Sequence, residues 1–173
     1  MRRHTLMELG EDNYNEFITD IKKRLEKTSQ SLSELEILVV GTRYNEDIVG
    51  SICIKIKDEL KRLGVKKINS HTVPGALELP FFLNQYGIRK SVDGMIAVGC
   101  VLRGETYHFE IVANESARGI GSVQLQLGIP IINSVLTCEN PKQALERAAY
   151  RPYECVAALL EMLAISAEIS ITT

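Results

Sequence analysis

No apolar run in this 173-residue chain approaches the roughly 20 residues that a helix needs to span a bilayer, so a membrane-spanning helix is not expected. Neither sign of charge dominates. Twenty Lys and Arg against 22 Asp and Glu leave a formal charge of −2, with no basic field for nucleic acid and no polybasic cluster for a membrane surface. The four cysteines, Cys53, Cys100, Cys138 and Cys155, are far apart and form no Cys-x-x-Cys pair. That argues against a zinc site and against a disulfide framework, and leaves free thiols in a reducing cytoplasm as the expectation. Met1 to Gly10 holds two arginines but no apolar stretch, which argues against a secretory signal. No phosphate-cradling loop or dinucleotide fingerprint follows the first apolar strand, and no serine elbow is present. Internal repeats and low-complexity segments are also lacking. Histidine is scarce, with three in all.

What remains is the composition of one ordinary globular domain, 45% apolar and 24% charged, long enough to bury a real core. Residues 1–34 read differently from the rest. Tyr14, Phe17, Ile18, Ile21 and Leu25 recur at helical spacing between charges, and a polar Thr28-Ser29-Gln30-Ser31 linker follows. This extension is expected to pack on the domain of residues 35–173 or on a neighbouring subunit.

From Ile37 the pattern turns regular. Strands are expected at Ile37 to Val40, Val65 to Val73, Asp93 to Leu102 and Ile129 to Leu136. Helices are expected at Glu46 to Leu63, Ala76 to Gln85 and Tyr107 to Leu127, with Gly64 and Gly128 as stops. Asn140-Pro141 starts another helix as cap and first residue, and Arg151-Pro152 is expected to interrupt it before a terminal helix from Tyr153 to about Ile169. The order predicts an α/β three-layer sandwich, with a four-stranded parallel sheet flanked by helices on both faces.

Candidate chemistry gathers at the strand ends. The third strand delivers Arg103-Gly104-Glu105-Thr106-Tyr107-His108-Phe109-Glu110 to a helix start, where unpaired N–H groups favour an anion. His108 can exchange protons near neutral pH or simply satisfy the helix start. Thr106 can cap the helix or bind an anion. Arg103 or the distant Arg147 can supply positive charge, although Arg147 can equally pair with Glu146 or Glu154. After the second strand, Gly75 permits close backbone approach, and Glu78 suits either a polyhydroxyl ligand or the helix dipole. Tyr44, after the first strand, can stack on a planar ligand or cap the sheet edge. His71, on a strand, reads as structural, and His4 has no context.

These stretches together resemble the 6,7-dimethyl-8-ribityllumazine synthases. The carriers are Arg43-Tyr44-Asn45, Val73-Pro74-Gly75-Ala76-Leu77-Glu78-Leu79-Pro80, the Arg103 to Glu110 segment, Val135-Leu136-Thr137 and Gln143-Ala144-Leu145-Glu146-Arg147-Ala148. The resemblance spans about Ile37 to Ile165. It implies condensation of 5-amino-6-(D-ribitylamino)uracil with 3,4-dihydroxy-2-butanone 4-phosphate, releasing phosphate and water, with no metal and no organic cofactor. It implies that Tyr44 stacks on the pyrimidine, and that Ala76, Leu77 and Glu78 hold the ribityl chain. Val101 and Leu102 would line the ring pocket, Glu105 and Thr106 would belong to the phosphate-binding loop, Arg103 would be a further substrate-binding residue, and His108 would transfer protons. Arg147 would bind phosphate from an adjacent subunit, in a cytoplasmic homopentamer with its sites between chains.

Two departures stand out. Asn133-Ser134 replaces the Phe-Gly common in relatives, where the phenylalanine closes the pocket from the neighbouring subunit; Asn133 is expected either to hydrogen-bond the ring instead or to leave the pocket looser. The Gly/Lys/Asn-rich loop after the phosphate-binding arginine is missing, which favours an open pentamer over an icosahedral shell and leaves Arg151 as the substitute charge. The competing readings are an archaeal-type riboflavin synthase and a lumazine- or flavin-binding pentamer without catalysis.

Overall fold

The computed structural model describes residues 10–171, and within them four apolar segments pair into one sheet. The strands are β1 (Glu36–Thr42), β2 (Lys67–Val73), β3 (Gly94–Leu102) and β4 (Ile131–Cys138). Every pairing is parallel, in the order β2-β1-β3-β4. The chain steps outward from β1 to β2 and then crosses back to β3 on the other side of β1. The topological switch point therefore lies between the carboxyl ends of β1 and β3, where open parallel sheets form ligand crevices.

The helices are α1 (Glu11–Lys27), α2 (Glu46–Leu63), α3 (Leu79–Arg89), α4 (His108–Leu127) and α5 (Pro141–Ile171). A 3-10 turn at Ala76–Glu78 leads into α3. Successive strand residues point to opposite faces, and this alternation builds two cores. Ile37, Val39, Ile96 and Val98 pack against α1, α2 and α5, whereas Leu38, Val40, Met95 and Ala97 pack against α3 and α4. The result is the three-layer α/β sandwich expected from the element order.

Local signals set most boundaries. Gly64 takes φ 109° after α2, so its own N–H reaches Lys61 O while Val65 N–H turns back to Leu60 O. This doubly bonded stop consumes Val65, and β2 begins at Lys67 instead. Gly128 ends α4 at φ 65°. Asn140 Oδ1 accepts the Gln143 N–H at 3.0 Å, which caps α5 with Pro141 in its first turn.

The expected break at Arg151-Pro152 does not occur, because α5 runs unbroken through a buried Pro152. A proline inside a helix orphans the carbonyl four residues earlier, here Ala148 O. Lys55 Nζ, reaching across from α2, donates to that oxygen at 3.5 Å. Arg151 Nη2 donates to Asn133 O at 2.8 Å, tying the same turn to β4. Tertiary partners thus replace the missing local bond.

α1 packs on its own chain. Tyr14, Ile18, Ile21 and Leu25 are buried in the core shared with α2 and α5. At full burial each such apolar side chain contributes about 1.5–3 kcal/mol. Tyr14 Oη donates to Glu59 Oε1 at 2.9 Å, and the Arg62 fork holds both Glu59 oxygens at 2.7 Å. Arg24 grips Glu168 of α5 in the same two-pronged manner at 2.8 Å.

Candidate active site

The end of β1 is the first wall of a cleft of about 430 Å³ at the switch point. Thr42 is buried there, and the Tyr44 ring stands 73% exposed. Asn45 adopts φ 56°, a left-handed conformation that asparagine tolerates better than most residues. From that position its Nδ2 donates to Cys100 O at 2.8 Å and ties the end of β1 to the end of β3.

The turn after β2 supplies the second wall. Gly75 is buried, and a Cβ there would lie 3.0 Å from Glu78 Oε2 and 3.3 Å from Tyr44 Cδ2. Its backbone is extended, so the glycine serves close approach and not an unusual φ. The missing side chain is what lets the tyrosine ring and the carboxylate crowd one turn. Ala76 and Leu77 complete this wall. β3 contributes Cys100, Val101 and Leu102, and α4 contributes His108 and, one turn on, Val112. Tyr44, Ala76, Leu77, Glu78, Val101, Leu102 and His108 are thereby brought together from four segments.

The polar equipment is sparse. Burial pushes the Cys100 thiol up to about 11, so it stays protonated at neutral pH and is no nucleophile. Among the described residues no lysine or arginine lines the cleft, so an anionic ligand there must draw its positive charge from outside this set.

The remaining expected residues lie elsewhere. Glu105 and Thr106 are exposed on the loop before α4. Thr106 does not cap the helix: Tyr107 occupies the cap position without a side-chain capping bond, and the Glu110 carboxylate accepts its own backbone N–H in the first turn. Arg103 turns away from the cleft toward Glu110 and Glu139. Asn133 sits in mid-strand beside Ala97, where its Oδ1 accepts the Val135 N–H at 2.9 Å on the outer edge of the sheet. Arg147 is exposed on α5 and makes neither hydrogen bond nor ion pair among the described residues; Glu154 pairs with Arg151 instead. Arg151 is therefore already engaged by Glu154 and by Asn133 O. His71 packs against the rings of Phe82 and Tyr86, centroids 5.2 and 5.6 Å away, as a structural histidine would. His4 lies outside the described residues.

Thr42, Asn45, Cys100 and Val112 also line the cleft, beside the Gly75 that the turn after β2 marks for close approach. Val112 was open to inference, because it lies four residues after His108 on one helix face. Cys100 and Thr42 carried no such signal, being apolar or small residues in buried strands.

A parallel sheet with a cleft at its switch point, walled by an exposed ring, a carboxylate and an imidazole, defines an α/β enzyme acting on a small molecule. Sequence comparison narrows that class. The sequence model of the 6,7-dimethyl-8-ribityllumazine synthase family matches residues 34–167, and the chain belongs to that family. A 6,7-dimethyl-8-ribityllumazine synthase of Methylobacillus flagellatus is 48% identical over 132 residues, covering 75% of this chain and 89% of the relative. One from Azoarcus sp. is 40% identical over 153 residues, 87% of this chain and 92% of the relative. Another, from Acidovorax sp., is 42% identical over 139 residues, 79% and 90% of the respective chains.

Proposed function

We propose that this chain condenses 5-amino-6-(D-ribitylamino)uracil with 3,4-dihydroxy-2-butanone 4-phosphate to 6,7-dimethyl-8-ribityllumazine, releasing phosphate and water. The observation that carries this reading is the convergence of Tyr44, Glu78 and His108 on one cleft at the sheet's switch point. Family membership supports the same reaction.

In this reading the Tyr44 ring stacks on the pyrimidine, and its exposure supports that role. Ala76, Leu77 and Glu78 hold the ribityl chain, whose hydroxyls the Glu78 carboxylate can accept. Val101 and Leu102 line the ring pocket. His108 moves protons as the imine forms and as phosphate departs, a contribution of about 10²–10⁴-fold. Holding the two substrates in register supplies much of the rest. Glu105, Thr106 and the open N–H groups of α4 receive the phosphate, and the absence of a Thr106 cap supports that use.

Among the described residues no lysine or arginine lines the cleft, which supports an arginine arriving from another copy of the chain. Arg147 takes that part, within a cytoplasmic homopentamer whose sites lie between subunits, and Asn133 meets the ring from the neighbouring chain. Residues 10–34 act as an extension that braces the domain, through the buried face of α1.

The test is lumazine formation, followed by absorbance, from the two substrates and the purified chain. Turnover that vanishes on omitting either substrate is expected. Lumazine bound without turnover, or riboflavin made from lumazine alone, overturns the reading.

A further inference from the structure

We propose that Arg103 is a positioning residue for His108, clamping the first turn of α4 to the β4–α5 connection and leaving the substrate phosphate to other groups. The proposal rests on the reading of His108 as the proton-transfer group.

The imidazole of His108 has no hydrogen-bond partner among the described residues, so its place in the cleft is inherited from its backbone. That backbone is the start of α4, which lacks the usual support. Its cap residue is Tyr107, without a side-chain capping bond. The preceding loop, from Gly104 to Tyr107, is exposed throughout. Something else must hold the first turn.

Arg103 does so with its Nε, its Nη1 and the face of its guanidinium. Its Nη1 donates to Glu110 Oε1, and its guanidinium carbon lies 4.1 Å from the centroid of the Phe109 ring. The two residues that follow His108 are thus gripped by one planar cation. Nε donates in turn to Glu139 Oε2 at 2.7 Å, and the Arg103 backbone N–H donates to Cys138 O at 3.0 Å. The anchor is firm at that end, because Glu139 N–H bonds Gln143 Oε1 at 2.9 Å within the capped start of α5. One side chain therefore couples the end of β3, the start of α4 and the start of α5.

The same contacts argue against a phosphate ligand. Two carboxylates already neutralise the guanidinium, and a phosphate approaching it would meet both negative charges. The hydrogen bond from Arg103 also holds the Glu110 carboxyl below the usual carboxylate range, so the clamp stays ionised across neutral pH. A lysine cannot reproduce it, since a point charge lacks both the fork and the stacking plane.

The experiment compares Arg103→Met, Arg103→Lys and the double variant Glu110→Gln/Glu139→Gln with the unaltered protein, by steady-state kinetics and by amide hydrogen exchange over residues 104–112. Misplacement of a reacting group by about 1 Å can cost on the order of 10²-fold, so kcat is expected to fall about 10- to 100-fold in all three. KM for the phosphorylated substrate should stay within about twofold, and exchange at the start of α4 should quicken. Arg103→Lys should behave like Arg103→Met. A raised KM for the phosphorylated substrate with kcat retained, partly restored by lysine, assigns Arg103 to phosphate and overturns the proposal. So does full activity in the double glutamine variant, which frees the arginine. If the unaltered protein makes no lumazine, the functional reading fails; exchange then decides the clamp alone, and an unchanged rate in Arg103→Met refutes it.

Discussion

At the scale of single residues, the cleft divides its work between one proton carrier and several shape-giving neighbours. His108 is exposed to the cleft and has no partner among the described residues, which leaves its ring free for a substrate. His108→Ala should lower kcat by about 10²–10⁴-fold while leaving both KM values near normal, as steady-state kinetics would report. An unchanged kcat would remove the residue from the mechanism. Gly75 works by absence: a Cβ there would press on Tyr44 and Glu78, and both would have to give by a few tenths of an ångström. Such roles differ in how well they can be read in advance. Tyr44, Glu78 and His108 are polar or aromatic groups at strand ends, a position that marks them in the sequence. Thr42 and Cys100 belong to buried runs, and they reach the cleft at the carboxyl ends of β1 and β3.

At the scale of elements, α5 and α1 are where tertiary contacts overrule local preference or add to it. Pro152 survives inside α5 because Lys55 occupies the carbonyl it orphans. Lys55→Met should destabilise the protein by about 1 kcal/mol, the ordinary cost of a buried acceptor left open. Combined with Pro152→Ala, which restores an N–H for Ala148 O, the same change should cost much less. Denaturant melts of the four proteins in this cycle give the coupling, and strict additivity would show that Lys55 does not serve that carbonyl.

α1 depends on a buried carboxylate. Burial by itself would raise Glu59, which is only 5% exposed, but the Arg62 fork and the Tyr14 hydroxyl outweigh it and hold the group below its ordinary 4.5. A carboxyl with a folded value below its unfolded one stabilises at neutral pH. That stabilisation fades as the pH falls below 4.5 and through the folded value. Tyr14→Phe should cost about 1 kcal/mol at neutral pH and move acid unfolding to higher pH, since one of the bonds holding Glu59 ionised is gone. Melts across the acid range would check both effects; an unmoved acid transition would mean that the tyrosine contributes only packing.

At the scale of the whole molecule, the cleft is half a site in charge terms. Among the described residues it holds a carboxylate and an imidazole but no lysine or arginine, while Arg147 stands exposed on α5 without a bond among them. If each site borrows Arg147 from a neighbour, His108→Ala and Arg147→Ala chains, each impaired alone, should regain activity when refolded together. Mixed assemblies then contain sites with both residues intact. Light scattering on the same samples should give a mass of five chains. No recovery in assemblies shown to be mixed would place Arg147 in its own chain's site or in none. The sequence by itself determined the order of elements, the parallel three-layer architecture and most helix ends, because hydrophobic period, caps and glycine stops act over a few residues. It also marked the strand ends from which the cleft is built. Only the tertiary structure decided that α5 passes through Pro152, that Thr106 leaves α4 uncapped and that Arg103 faces two carboxylates instead of the cleft. The first depends on Lys55 and the last on Glu139, partners supplied by distant segments of chain, and no local pattern encodes which side chain will arrive there.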